Sequence, residues 1–95
     1  MKHLHFVGIG GARLSGLAKL YQDRGYTITG SDTQASAAVQ NLINRGIKVF
    51  LGHDPSNIEG ADLVVYTNAV GNDNPEVKAA QNKGVPIIEG AELLG

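Results

Sequence analysis

The sequence contains no cysteine, and it carries no excess of charge and no long apolar run. Without cysteine it forms neither disulfides nor thiolate zinc sites, which permits a cytosolic protein without requiring one. A formal net charge of −1 argues against a basic face for nucleic acid. No apolar stretch approaches the roughly 18 residues of a membrane span, and no basic amphipathic segment suggests a membrane surface. His3 and His5 break an amino-terminal segment that is also too short for a signal peptide.

Instead, strand-like and helix-like segments alternate along the chain. Apolar, β-branched runs at residues 3–8, 26–30, 47–51, 62–67 and 85–88 predict strands. Between them, apolar residues recur at the spacing of one helix face. These residues are Leu14, Leu17, Ala18, Tyr21, Val39, Leu42, Ile43, Val77 and Ala80.

The helix ends carry their own signals. Gly25, Gly46 and Gly84 each follow a helical segment, where a left-handed residue ends a helix at little cost. Asn-Pro-Glu at 74–76 combines a capping side chain, a proline whose missing N–H is harmless and an acid that suits the positive helix end. Gly16 lies inside the first helix, where we expect close packing against a strand to compensate for its cost.

Strands alternating with helices imply parallel pairing and right-handed crossovers. The runs "VGI" and "LVVY" are continuously apolar, which is typical of strands covered on both faces. We therefore predict one Rossmann-like, three-layer α/β domain over residues 1–95, with a five-stranded parallel sheet in the order 3-2-1-4-5. The tail at 90–95 predicts one turn of a further helix with Leu93 and Leu94 exposed at a cut end, so we expect the chain to be a fragment.

The segment "FVGIGGARLSG" at residues 6–16 leads from the first strand into the first helix. Gly8 and Gly10 would let the backbone turn tightly and approach a pyrophosphate, and Gly11 adds a further position without a side chain in the same loop. The pyrophosphate would then meet the free N–H groups at the start of the helix. The alternative is a merely structural tight turn. A G-x-G pattern alone is weak, but its position between a strand and a helix strengthens the phosphate interpretation.

Polar residues at the predicted carboxyl ends of strands are further candidates. Asp32 lies 22 residues after Gly10, the separation at which a carboxylate commonly binds a ribose hydroxyl. The alternative is that it caps a helix beginning near Ala35. Ser31 suits either role. His53 follows the third strand, although its spacing alone favours an ordinary solvated loop histidine.

Two other polar features allow alternatives. Asn68, at the end of the fourth strand, lies either at the binding edge or in an ordinary polar turn. His3 and His5 face the same side of the first strand, but two ligands without a third make a poor zinc site, so a packed or hydrogen-bonded pair is preferred.

Several ordered blocks together resemble the N-terminal domain of the Mur ligases. "HLHFVGIGGARLSGLA" is similar to that family's opening HxHFVGIGGxGMSGxA, and "GYTITGSD", "GIKVFLGHDPSNIEGADLVVYTNAV", "DNPEVKAAQNKGVPII" and "AELL" resemble its later blocks in order. The likeness covers essentially the whole chain. It is greatest to the members that join L-alanine to UDP-N-acetylmuramate and weaker to the related murein-peptide ligase, whose loop usually has a cysteine after the first G-x.

The resemblance implies that this domain holds the UDP part of UDP-N-acetylmuramate. The glycines and the helix start would meet the diphosphate, while Asp32, His53 and the backbone around Asn68 and Ala69 would lie at the nucleoside. The residues assigned to the UDP site in this way are Gly8, Gly10, Gly11, Ala12, Arg13, Leu14, Ser15, Ser31, Asp32, His53, Asn68 and Ala69. Arg13 and Leu14 depart from the family's glycine and methionine; Arg13 could either pair with the diphosphate or crowd it.

The resemblance also implies a cytoplasmic, ATP- and Mg²⁺-dependent ligase of peptidoglycan synthesis whose central and C-terminal domains carry the ATP chemistry. No G-x-x-x-x-G-K-[ST] loop occurs here, so we expect the chain to anchor substrate, to hold no cofactor or metal of its own and to be no catalyst alone. Two alternatives stay open: an NAD- or FAD-binding domain of a sensor or oxidoreductase, and a non-catalytic scaffold with a degenerate loop.

Overall fold

A computed structural model describes residues 2–67, 69–71 and 73–94. It contains five strands and four α-helices in the order that the apolar periodicity predicts. The strands are β1 (His3–Val7), β2 (Thr27–Asp32), β3 (Lys48–Leu51), β4 (Leu63–Tyr66) and β5 (Ile87–Glu89). The helices are α1 (Ala12–Asp23), α2 (Ala37–Asn44), α3 (Pro75–Lys83) and α4 (Gly90–Leu94), with a 3₁₀ turn at Pro55–Ile58 that the sequence pattern did not predict.

All strand pairs are parallel, and the sheet order is β3-β2-β1-β4-β5. This confirms the predicted Rossmann-like topology. Two apolar clusters cover the two faces: α1 and α2 pack over one face around Phe6, and α3 and the 3₁₀ turn pack over the other around Val64. Burial on both faces explains why β4 (LVVY) is continuously apolar.

The helix ends follow local sequence chemistry. Ser36 caps α2 by accepting a hydrogen bond from the Val39 amide, and Asn74 caps α3 in the same way through the Glu76 amide. The predicted glycine terminators are confirmed, since Gly25, Gly46 and Gly84 all have left-handed φ angles. None of the helices in the described part of the chain is long and apolar enough to cross a membrane.

Three sequence expectations about packing are wrong. Ile43 is 42% exposed, because α2 buries only the side of Val39 and Leu42. Gly16 does not pack against a strand: a Cβ placed there would meet no atom within 4 Å. Leu93 is half-buried rather than exposed, since it packs against the core and its carbonyl accepts a hydrogen bond from the Tyr21 hydroxyl at 3.1 Å.

Candidate functional site

The loop between β1 and α1 is fastened to the end of β2. Gly8 turns the chain with a φ of 80°, and the amides of Gly8 and Ile9 donate to the Ser31 carbonyl at 2.8 and 2.9 Å. The Gly10 amide donates to Asp32 Oδ2 at 2.9 Å, and the Gly11 amide to the Gly8 carbonyl at 3.1 Å. The loop amides are thus satisfied within the protein, and they hold the loop in a defined shape.

Two glycines are required here by protein packing. A Cβ on Gly30 of β2 would lie 2.7 Å from the Cβ of Ile9, whose side chain fills that space. A Cβ on Gly10 would lie 2.8 Å from both Asp32 Oδ2 and Val39 Cγ2. The loop can therefore lie this close to β2 and α2 only because both positions lack a side chain.

The free donors belong to the first turn of α1. Its N-cap is Gly11, which offers no side-chain cap, and its first turn contains no acidic residue. Among the described residues, the amides of Ala12, Arg13 and Leu14 have no hydrogen-bond partner. Such unpaired N–H groups at the positive end of a twelve-residue helix form an anion-binding arrangement.

These amides belong to residues that line a cleft of about 380 Å³ at the carboxyl edge of the sheet. The lining residues are Gly8, Gly11, Ala12, Arg13, Leu14, Thr67, Ala69 and Glu89. The cleft lies between the carboxyl ends of the neighbouring strands β1 and β4, where the strand order reverses; this is the switch point at which open α/β sheets bind ligands. Arg13 is 56% exposed, and its Nη1 lies 3.9 Å from Glu89 Oε2 across the cleft. Arg13 belongs to neither apolar cluster, so its side chain lies outside the core that holds α1 against the sheet.

On the β2–β3 side of the loop, polar groups bind one another. Asp32 Oδ1 accepts from the Gln34 amide at 3.1 Å while Oδ2 holds Gly10, so this carboxylate shapes the loop. The alternative that Asp32 caps the next helix is wrong, because α2 begins at Ala37 and Ser36 caps it.

A buried carboxylate, Glu76 of α3, lies at the centre of a polar network beneath the sheet edge. Its Oε1 accepts from Ser31 Oγ at 2.7 Å and lies 2.6 Å from His5 Nε2. Its Oε2 accepts from Asn57 Nδ2 at 2.9 Å and from the Asp54 amide at 3.1 Å, and it lies 3.3 Å from His53 Nδ1. Five donors therefore meet one carboxylate that has no solvent exposure.

The electrostatics of Glu76 follow from these contacts. Burial alone raises the pKa of a carboxyl group, but hydrogen bonds from His5, Asn57 and Ser31, together with the electrostatic influence of His5, outweigh that effect and lower the pKa of Glu76 to about 2. Nearby, the hydroxyl and amide of Ser56 lower the pKa of Asp54, which caps the 3₁₀ turn.

The two strand histidines join the same network. His3 Nε2 and His5 Nδ1 lie 2.7 and 2.8 Å from the hydroxyl oxygen of Thr29. The interpretation of a hydrogen-bonded pair is confirmed. No group of three or more potential metal ligands occurs in the part of the chain that the structure describes.

The structure brings together one set of the sequence-predicted site residues and separates another. Gly8, Gly11, Arg13 and Ala69 share the cleft with the rest of the α1 start. Ser15 is buried instead, its hydroxyl donating to the Ala12 carbonyl at 3.2 Å.

The other predicted residues that the structure describes lie outside the cleft lining. Ser31 and His53 belong to the network around Glu76, Asp32 and Gly10 bond to each other in the loop, and Asn68 lies outside the described residues. Contact of any of these residues with a nucleotide stays a prediction.

Sequence reasoning missed several site residues. It interpreted Glu76 only as an acid at a helix start, and it assigned no role to Asn57, Thr67 or Glu89. The usable signal for Thr67 and Glu89 was position, because both lie at the carboxyl end of a predicted strand. For Glu76 and Asn57 there was no local signal.

Topology and loop geometry together define the class: a parallel α/β domain of Rossmann type whose first helix opens, uncapped, onto a cleft at the switch point. A family model described as "Mur ligase family, catalytic domain" matches residues 3–95. The chain belongs to the Mur ligase family.

Individual relatives agree with this assignment. The chain is 48% identical over 94 residues to a UDP-N-acetylmuramate–L-alanine ligase of Persephonella marina, covering 99% of this chain and 20% of that protein. Its structure resembles the UDP-N-acetylmuramate–alanine ligase of Thermotoga maritima with a TM-score of 0.95 and 34% identity, over 99% of this chain and 22% of the other. A murein peptide ligase of Psychrobacter arcticus also resembles it, with a TM-score of 0.90 and 28% identity, over 99% of this chain and 20% of the other. The chain thus spans about a fifth of these relatives' length.

Proposed function

We propose that this chain is the UDP-substrate-binding domain of an ATP-dependent UDP-N-acetylmuramate–L-alanine ligase of peptidoglycan synthesis. The observation that carries the proposal is the uncapped start of α1, whose free amides belong to residues lining the cleft at the switch point. The 48% identity to a ligase named for this substrate supports UDP-N-acetylmuramate as the ligand.

In this proposal the diphosphate lies on the amides of Ala12, Arg13 and Leu14. A helix N-terminus stabilises a nearby negative charge by about 0.3–1 kcal/mol at an exposed site. The Arg13 guanidinium, which is exposed at the same mouth, adds a charge-assisted donor. Gly8 and Gly11 present only backbone to the cleft, so a phosphate group can approach closely.

The nucleoside would extend from this point along the carboxyl edge of the sheet. Asp32 and His53 flank the loop on the β2–β3 side, and Ala69 lines the β4 side. Asn68, which precedes Ala69, belongs to the same proposal.

The chemical steps would belong to the central and C-terminal domains of the longer ligase, which would use ATP and Mg²⁺. The sequence contains no phosphate-binding loop lysine after a G-x-x-x-x-G pattern, so these 95 residues do not fit the β- and γ-phosphates of ATP. The domain would therefore anchor substrate in the cytoplasm while another part of the same protein activates its carboxylate.

An NMR titration of residues 1–95 tests the ligand class. UDP and UDP-N-acetylmuramate should shift the backbone resonances of residues 8–14 at lower concentrations than NAD or FAD do. Shifts in this segment with NAD but not with UDP would assign the domain to the dinucleotide binders instead. In the same preparation we expect neither ATP hydrolysis nor alanine ligation above a no-enzyme control.

A further inference from the structure

The hydrogen bonds around His53 determine which of its ring nitrogens carries the proton. Ser31 Oγ donates its single proton to Glu76 Oε1, so it can only accept from His53 Nδ1, which lies 2.9 Å away. The second neighbour of Nδ1, Glu76 Oε2 at 3.3 Å, is an ionised carboxylate oxygen and also only accepts. Both contacts place the proton on Nδ1.

The opposite nitrogen then has a defined character. When Nδ1 of a neutral imidazole is protonated, Nε2 carries a lone pair and accepts hydrogen bonds. Among the described residues, His53 Nε2 has no protein partner, and the side chain keeps 19% of its surface exposed. His53 therefore presents an acceptor at the carboxyl edge of the sheet.

We propose that Glu76 is a positioning residue: it fixes His53 in the Nδ1–H form and so makes Nε2 an acceptor for an N–H or O–H donor of the bound nucleoside. The inference has two halves. The ligand half, that Nε2 accepts a hydrogen bond from the nucleoside, rests on the proposed function. The tautomer half, that Glu76 holds the proton on Nδ1 of His53, does not.

The network also holds the backbone that carries His53. Glu76 Oε2 binds the Asp54 amide and the Asn57 side chain, and Asn57 Nδ2 also lies 3.2 Å from the Gly52 carbonyl. After the histidine, Asp54 and Asn57 are thus bonded to α3 directly, and Gly52, before it, is held through Asn57. Turning the His53 ring over would put a carbon in the place of Nδ1 and remove its contacts with Ser31 Oγ and Glu76 Oε2, so these contacts hold the ring orientation.

The first experiment measures the tautomer in the ligand-free chain by long-range ¹H–¹⁵N correlation of the imidazoles. We expect His53 to show a protonated Nδ1 and a bare Nε2. Addition of saturating UDP should shift the Nε2 resonance while Nδ1 keeps its proton. A free chain with the proton on Nε2 would overturn the proposal, whatever the domain binds.

The second experiment compares Glu76→Gln with Glu59→Gln, which makes the same chemical and charge change on a side chain that is 71% exposed. A glutamine amide places an N–H₂ where the network requires an acceptor, so the Nδ1–H form of His53 should become less populated. UDP affinity should fall by about tenfold, the value of one hydrogen bond to a ligand. Glu59→Gln should change neither quantity.

Outcomes in the two experiments separate the two proposals. If Glu76→Gln keeps both the tautomer and the affinity, Glu76 has no positioning role. If the wild-type chain shows the expected tautomer but binds no UDP, the proposed function and the ligand half of this inference fail while the tautomer half stands. If Glu76→Gln does not fold, the wild-type Nε2 shift on UDP addition decides the ligand half.

Discussion

The two halves of the carboxyl edge of the sheet, the network around Glu76 and the cleft at the start of α1, differ in how far their polar groups are satisfied within the protein. Around Glu76, a carboxylate with no exposure meets five donors, and each of those donors comes from this chain. Around the cleft, the Glu89 carboxylate is 17% exposed, accepts one hydrogen bond from the Ala91 amide at 2.8 Å and approaches Arg13 at 3.9 Å, and three helix amides have no partner among the described residues. A folded domain satisfies its buried polar groups internally, and free donors at a concave edge are therefore the better indicator of a ligand site.

The same contrast explains why the glycine loop keeps its shape without a ligand. The amides of the loop donate to Ser31 and Asp32, and the amides that remain free belong to the first turn of α1. Because α1 is folded without a ligand, these free amides are held in position before any anion binds. We expect an anion to meet a preformed site and to lose little free energy in ordering it.

The largest expected effect comes from truncating the two glutamates separately. Glu76→Ala should destabilise the domain by about 3–5 kcal/mol, because His5, Ser31 and Asn57 lose their acceptor in a buried place. Glu89→Ala should cost about 1 kcal/mol, since it removes the acceptor of the Ala91 amide at the start of α4 and a partly exposed ion pair with Arg13. Urea unfolding of both variants measures this; equal losses would remove the distinction between the two halves.

Acid titration should show the next largest effect. The pKa of Glu76 is about 2 in the folded chain against an ordinary 4.5, so its stabilisation is complete above pH 4.5 and is lost as the pH falls toward 2. The loss should total about 3 kcal/mol. Urea unfolding at several pH values checks this, with Glu76→Gln expected to flatten the dependence in this window. An unchanged slope in that variant would contradict the assignment.

Arg13→Ala tests the open half of the edge. Loss of the guanidinium at the cleft should weaken UDP binding by on the order of 1 kcal/mol, and less at high salt. Calorimetric titration at two salt concentrations measures the effect. Arg24→Ala removes the same charge from a residue just beyond the far end of α1 and should leave binding unchanged. If Arg13→Ala binds UDP much more tightly than wild type, Arg13 obstructs the site.

The smallest expected effect concerns the exposed side of α1, the helix that opens the cleft. Gly16→Ala should stabilise the chain by about 0.5 kcal/mol, because a methyl group there meets nothing and the unfolded chain loses freedom. Gly84→Ala is the matched control: it also meets nothing, but its φ of 74° should make alanine destabilising by about 1 kcal/mol. Thermal unfolding distinguishes the two, and a destabilised Gly16→Ala would reveal a packing demand at this site.

Sequence alone determined the order of strands and helices, the parallel sheet, the glycine turn and the helix ends. These depend on neighbours a few residues apart: apolar spacing along one helix, a capping side chain such as Asn74, a left-handed glycine such as Gly84. The resemblance of several ordered blocks then identified the family.

Only the tertiary structure decided how the polar groups are shared. Glu76 meets His5, Ser31 and Asn57 across 71, 45 and 19 residues of chain, and no local pattern marks partners at such separations. The close approach of Ile9 to Gly30 and the pairing of Arg13 with Glu89 likewise depend on where the strands and helices pack. Burial turned an ordinary helix-start glutamate into the centre of a network, because a carboxylate without solvent must find every one of its donors within the fold.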